Sequence, residues 1–149
     1  AALDPDGGAV YRAQAASYAS ELRALDTWIA AQIATIPVER RLLVTNHENL
    51  NYFARRYGFK VVGAVFPTVD GAGSPSAQQL TALVKAIEAS GAPAIFLETG
   101  ANTDLARQVA DETGVKLVTD LYTHSLEDDA PTYLDMMRWN VNRIVEAVR

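Results

Sequence analysis

Between Arg41 and Tyr122, four short apolar runs alternate with stretches of helical periodicity, and few folds accommodate such an alternation. The runs are "RLLVT" (41–45), "KVVGAVF" (60–66), "PAIFLE" (93–98) and "KLVTDLY" (116–122). Each is short and close to continuously apolar, as a strand covered on both faces must be. Helices are expected over 48–57, over 76–90 before Gly91, from "TGANTD" to about Thr113 before Gly114, and from Pro131 to about Val148. Asn46 or Thr45 can cap the first of these, and Ser74 the second, with Pro75 at its first helical position. The expected fold class is therefore α/β, a four-stranded parallel sheet flanked by helices, with right-handed crossovers. In such sheets ligands bind beyond the carboxyl ends of the strands, where the strand order reverses.

A long helix precedes this unit. Tyr11, Ala15, Tyr18, Leu22, Leu25, Ile29, Ile33 and Ile36 recur at steps of three and four, between "DPDGG" and Pro37. At 1.5 Å per residue it would reach roughly 40 Å, against about 30 Å for a compact domain built from the remaining residues. It should overhang that domain. Either it is simply a long packing helix, or it also supports a second lobe.

Chemistry is read from the residues at the carboxyl end of each strand. The first strand delivers Asn46, His47 and Glu48; the second Phe66, Thr68 and Asp70; the third Glu98 and Thr99; the fourth Asp120, Tyr122 and His124. Both histidines of the chain thus fall at one sheet edge together with carboxylates. Two imidazoles converging with a carboxylate suit zinc and its neighbours better than calcium or magnesium. Plainer roles compete with this one. A loop histidine is more often a surface residue or a cap than a ligand. Glu98 could equally accept from a turn or pair with a buried arginine, and Asp120 lies inside a strand pattern. Tyr52, Phe53 and Tyr57 read as core, Arg55 and Arg56 as a solvated face, and Met136, Met137 and Trp139 as packing residues.

Composition narrows the function. A net charge of −5 argues against nucleic acid or an anionic membrane surface as partner. Without cysteine, disulfides and thiolate metal sites are excluded. No apolar run approaches the roughly 18 residues of a membrane span. "GAGSPS" is not a P-loop, and "ETGANTD" is not a dinucleotide fingerprint. The opening "AALDPDGG" lacks a Met and a signal-peptide pattern, so the chain is expected to be processed or cut from something longer.

"VTNHENLNYFARRYGF" resembles the carboxy-terminal lobe of the metal-binding solute-binding proteins of ABC transporters, the zinc and manganese receptors also known as the adhesin lipoprotein family. The matching residues are His47, Tyr52, Phe53, Tyr57 and Gly58, and the similarity runs from "LDPD" through "LYTHSLEDDAPTYLDMMRWNVNRIVEAV". The resemblance implies that residues 1–37 are the helix linking two lobes and that 38–149 are the carboxy-terminal lobe, the amino-terminal lobe being absent. It implies His47 as a metal ligand facing the cleft. The family usually places an aspartate where this chain has His124, which as a ligand would shift preference toward zinc. Glu98 is then expected to orient a ligand imidazole, with Glu98 or Asp120 as alternative ligands should His124 not serve.

The function so implied is extracytoplasmic capture of a divalent transition metal, zinc with manganese as alternative, for delivery to an ABC permease. The full protein would be periplasmic or extracellular and membrane-anchored. The isolated lobe, with half of the ligands, is expected to bind metal weakly or not at all, and its exposed cleft face to favour a homodimer. Two other readings compete: a small α/β hydrolase using zinc-bound water, and an adhesion or interaction module with incidental metal. The receptor reading makes the chain a binding protein and not an enzyme.

Overall fold

In the computed structural model, which describes residues 1–66 and 74–149, nine helices and strands occur in the expected order. They are α1 (Gly8–Ala34), β1 (Leu42–Thr45), α2 (Asn51–Tyr57), β2 (Lys60–Ala64), α3 (Ala77–Ser90), β3 (Ala94–Glu98), α4 (Asp104–Thr113), β4 (Lys116–Leu121) and α5 (Tyr133–Val148). A 3-10 turn, Val38–Arg40, joins α1 to β1. The four strands form one parallel sheet in the order β2-β1-β3-β4.

Successive strand residues serve opposite faces, and the core divides accordingly. Leu43, Ala94 and Phe96 pack with Leu25, Ile29 and Ile33 of α1, Ala54 of α2, and Val141 and Ile144 of α5. Leu42, Val44, Ile95 and Leu97 pack with Leu83, Val84 and Ile87 of α3 and Ala106 and Val109 of α4. The connection from β1 to β2 therefore lies on one face. The connections from β2 to β3 and from β3 to β4 lie on the other. The chain changes direction between β1 and β3, so the carboxyl ends of these two strands define the crevice.

Local chemistry departs from the sequence expectations in several places. Helix α2 begins at Asn51 instead of 48, without a side-chain cap, because Thr45 and Asn46 are used elsewhere. Helix α3 is capped by Ser76 and not Ser74: its hydroxyl accepts from the Gln79 N–H at 3.2 Å, and its own N–H donates to Gln79 Oε1 at 2.8 Å. This reciprocal pair satisfies two backbone donors at once. Tyr52 is almost fully exposed, whereas Phe53 and Tyr57 pack against the core as expected. Arg56 is not merely solvated, since it binds Asp26 of α1.

The long helix spans 27 residues, but only its second half is anchored. Leu25, Ile29 and Ile33 are buried, and Trp28 lies under the Arg138 guanidinium of α5 at 4.8 Å. Residues 9–18, including Tyr11, Ala15 and Tyr18, are exposed. The overhang is therefore real. Beyond the last turn, Arg41 donates from Nε and Nη2 to the Ile36 carbonyl, both at 3.1 Å, closing the junction with the sheet.

Candidate metal centre

The centre is built from the two strands at the crevice. After β1, the Thr45 hydroxyl donates to the His47 carbonyl at 2.8 Å, and the Asn49 N–H donates to the same oxygen at 2.8 Å. These bonds turn the backbone and bring the His47 ring inward, leaving the residue 3% exposed. The Asn46 N–H donates to the Phe96 carbonyl at 3.0 Å and so ties this turn to β3. Glu98, the last residue of β3, sits beside it.

Glu98 is the hub. Asn46 Nδ2 donates to its Oε1 at 3.0 Å; Asn49 Nδ2 and the Thr123 hydroxyl donate to its Oε2, at 3.2 and 2.5 Å. His47 Nδ1 lies 3.3 Å from Oε1, and His124 Nε2 lies 3.1 Å from Oε2. The two imidazoles are parallel within 4°, their centroids 5.6 Å apart. His47 is buried, and the His124 side chain is 65% exposed. One candidate ligand atom from each of His47, Glu98 and His124 falls within 4.8 Å of the other two.

Three buried atoms in the same turn have no hydrogen-bond partner among the described residues: Asn46 Oδ1, His47 Nε2 and Asn49 Oδ1. Each such atom costs about 1–3 kcal/mol in a folded protein, so three together in one turn require an explanation. All three can donate a lone pair, and none is satisfied by the described residues. A buried imidazole nitrogen, a second imidazole and a carboxylate at one point form a donor set for a borderline divalent transition metal.

Of the residues singled out from sequence, the structure unites His47, Glu98 and His124. It separates Asp120 from them: the Asp120 carboxylate accepts from Arg143 Nε at 2.8 Å. Arg143 itself lies over the Trp139 ring at 4.5 Å, and the Trp139 indole N–H donates to the Asp120 carbonyl at 2.8 Å. Asp120 is thus held by α5, outside the cluster. Glu48 is exposed beside Asn51, and Tyr122 is buried against Trp139. Thr68 and Asp70 lie outside the described residues. Sequence reasoning missed Asn49 and Thr123, and it placed Asn46 at the functional edge without giving it a role beyond a cap. Their signal was their place: each lies next to a histidine or within two residues of one.

Two imidazoles and a carboxylate at the strand-order reversal of a parallel α/β sheet make this a candidate metal centre. Comparison with known proteins gives the family. Residues 1–147 match the family described as "Zinc-uptake complex component A periplasmic", and the chain belongs to it. It is 34% identical over 148 residues to the manganese-binding lipoprotein MntA of Halalkalibacterium halodurans, covering 97% of this chain and 49% of that protein. It is 32% identical to the iron-binding protein YfeA of Yersinia pestis and 31% identical to the zinc-binding protein TroA of Treponema pallidum. Among solved structures, the Mn-bound periplasmic metal binding protein of Candidatus Liberibacter asiaticus superposes with a TM-score of 0.86 at 28% identity. That match covers 99% of this chain and 55% of the other. The chain spans about half the length of the curated relatives it matches. Family and fold are those of metal-transport receptors, not of enzymes.

Proposed function

We propose that this chain is the carboxy-terminal, metal-holding half of an extracytoplasmic receptor that captures a divalent transition metal for an ABC permease. The carrying observation is His47: a buried imidazole whose Nε2 has no partner among the described residues, beside Glu98 and a second imidazole. His47 and His124 supply the nitrogen ligands. Helix α1 is the linker, and its exposed first half supports the amino-terminal lobe that supplies the remaining ligands. Zinc is the favoured cargo, because a site with imidazole at both 47 and 124 offers borderline nitrogen where manganese prefers carboxylate oxygen. Relatives are named for manganese, iron and zinc alike, so the choice rests on donor type. The full receptor is placed outside the cytoplasmic membrane and anchored to it, as lipoprotein relatives are named.

The experiment is isothermal titration of zinc and manganese into the chain, with His47→Ala and His124→Ala alongside. Zinc binding weakened by both substitutions supports the reading. Binding unchanged by either removes these residues as ligands. The hydrolase reading gains nothing from the site, since the family and fold are those of receptors.

A further inference from the structure

We infer that Glu98 is a positioning residue that fixes the tautomer of His47, so that Nδ1 carries the proton and Nε2 is presented bare to the ion. The inference rests on the function proposed above and assigns the carboxylate a part in it. An ionised carboxylate is acceptor-only, with about four lone-pair positions. Asn46, Asn49 and Thr123 already donate to three of them, which holds the group in place from two separate loops. Its Oε1 then faces His47 Nδ1 at 3.3 Å. A bare ring nitrogen at that distance would oppose its lone pair to a negatively charged oxygen, whereas an N–H is attracted to it.

The competing contact is Asn46 Nδ2 at 3.5 Å from His47 Nδ1. One of the two amide hydrogens is taken by Glu98 at 3.0 Å, and the contact of the other to Nδ1, at the outer limit of hydrogen-bond length, is weaker than the attraction between an N–H and a carboxylate at 3.3 Å. With the proton on Nδ1, Nε2 keeps its lone pair, and Nε2 is the nitrogen that is buried without a partner among the described residues. A carboxylate behind a ligand imidazole also raises its basicity toward a metal. Glu98 therefore acts through His47, while its asparagine and threonine contacts keep it from turning into the site. Because Thr123 adjoins His124, the same carboxylate joins the two ligand-bearing loops before any ion arrives.

The test is a long-range 1H–15N spectrum of the ion-free chain labelled with 15N-histidine, repeated after zinc is added. The expected result is a His47 ring protonated at Nδ1, with the Nε2 resonance moving on zinc addition. Glu98→Leu removes the acceptor while filling the space, and should shift the proton toward Nε2 and weaken zinc binding about 10- to 100-fold. Should that variant fail to fold, Asn49→Ala, which frees one edge of the carboxylate, should move the tautomer ratio in the same direction. A wild-type His47 protonated at Nε2, or a tautomer indifferent to Glu98→Leu, overturns the inference even if zinc binds. The expected tautomer in a chain that binds no zinc would uphold the inference about Glu98 and count against the proposed function.

Discussion

At the residue scale, the proposed site depends on a few atoms without a hydrogen-bond partner among the described residues. His47→Ala removes the buried donor and should lower zinc affinity at least about 10- to 100-fold, the range seen when even outer partners of a metal ligand are lost. Titration calorimetry checks this. His124 is the position where the resemblance leads one to expect aspartate. His124→Asp exchanges a nitrogen donor for oxygen and should lower the ratio of zinc to manganese affinity, read by competition between the two ions. If the ratio stays constant or rises, His124 does not set preference. His47 and His124 were visible in the sequence because each comes after a strand. Asn49 and Thr123 were not, because an amide or hydroxyl in a loop has many uses, and only the position of Glu98 selects one.

At the element scale, helices α2 and α3 show how local signals compete. Two serines precede α3, and Ser74 with Pro75 made an attractive start, yet Ser76 has the glutamine three residues on that completes a capping box. Ser76→Ala should cost about 1 kcal/mol in urea denaturation. Helix α2 is pinned to α1 by Asp26, which accepts from Arg56 Nε at 3.1 Å and from the Tyr57 hydroxyl at 2.8 Å. The Arg56 bond above all, and then the Tyr57 bond, hold the Asp26 carboxyl below the usual range. Burial, and then Asp26, push the Tyr57 hydroxyl up to about 12. A carboxyl lowered on folding stabilises above its unfolded pKa and loses that contribution as pH falls. The difference in melting temperature between wild type and Asp26→Asn should therefore be largest above about pH 5 and shrink toward pH 2. A difference independent of pH would mean that the carboxylate charge is not what holds the two helices.

At the scale of the whole molecule, the question is which part of α1 belongs to this lobe. Leu25, Ile29 and Ile33 are buried in its core, whereas Tyr18 on the same helix is exposed. Leu25→Ala should cost about 2–5 kcal/mol, and Tyr18→Ser no more than about 0.5 kcal/mol. Equal costs would show that the first half of the helix packs on this lobe after all. Ion binding is also a whole-molecule term: zinc at about 100 times its dissociation constant should stabilise the fold by about 2.7 kcal/mol. Thermal unfolding with and without zinc measures it, and His47→Ala should lose the increment.

The sequence by itself determined the element order, the parallel sheet and the overhang of the first helix, because these derive from periodicity and length, which are local properties. It also placed His47, Glu98 and His124 at one sheet edge, since residues after parallel strands share that edge whatever the strand order. It could not separate Asp120 from Glu98. Both come at or near the carboxyl end of a strand pattern, but β3 lies in the interior of the sheet beside β1, while β4 forms the edge where Arg143 of α5 reaches the Asp120 carboxylate. Strand order is decided by which faces the helices cover, and that depends on packing between residues distant in sequence. The tertiary structure alone therefore decided which carboxylate meets the histidines.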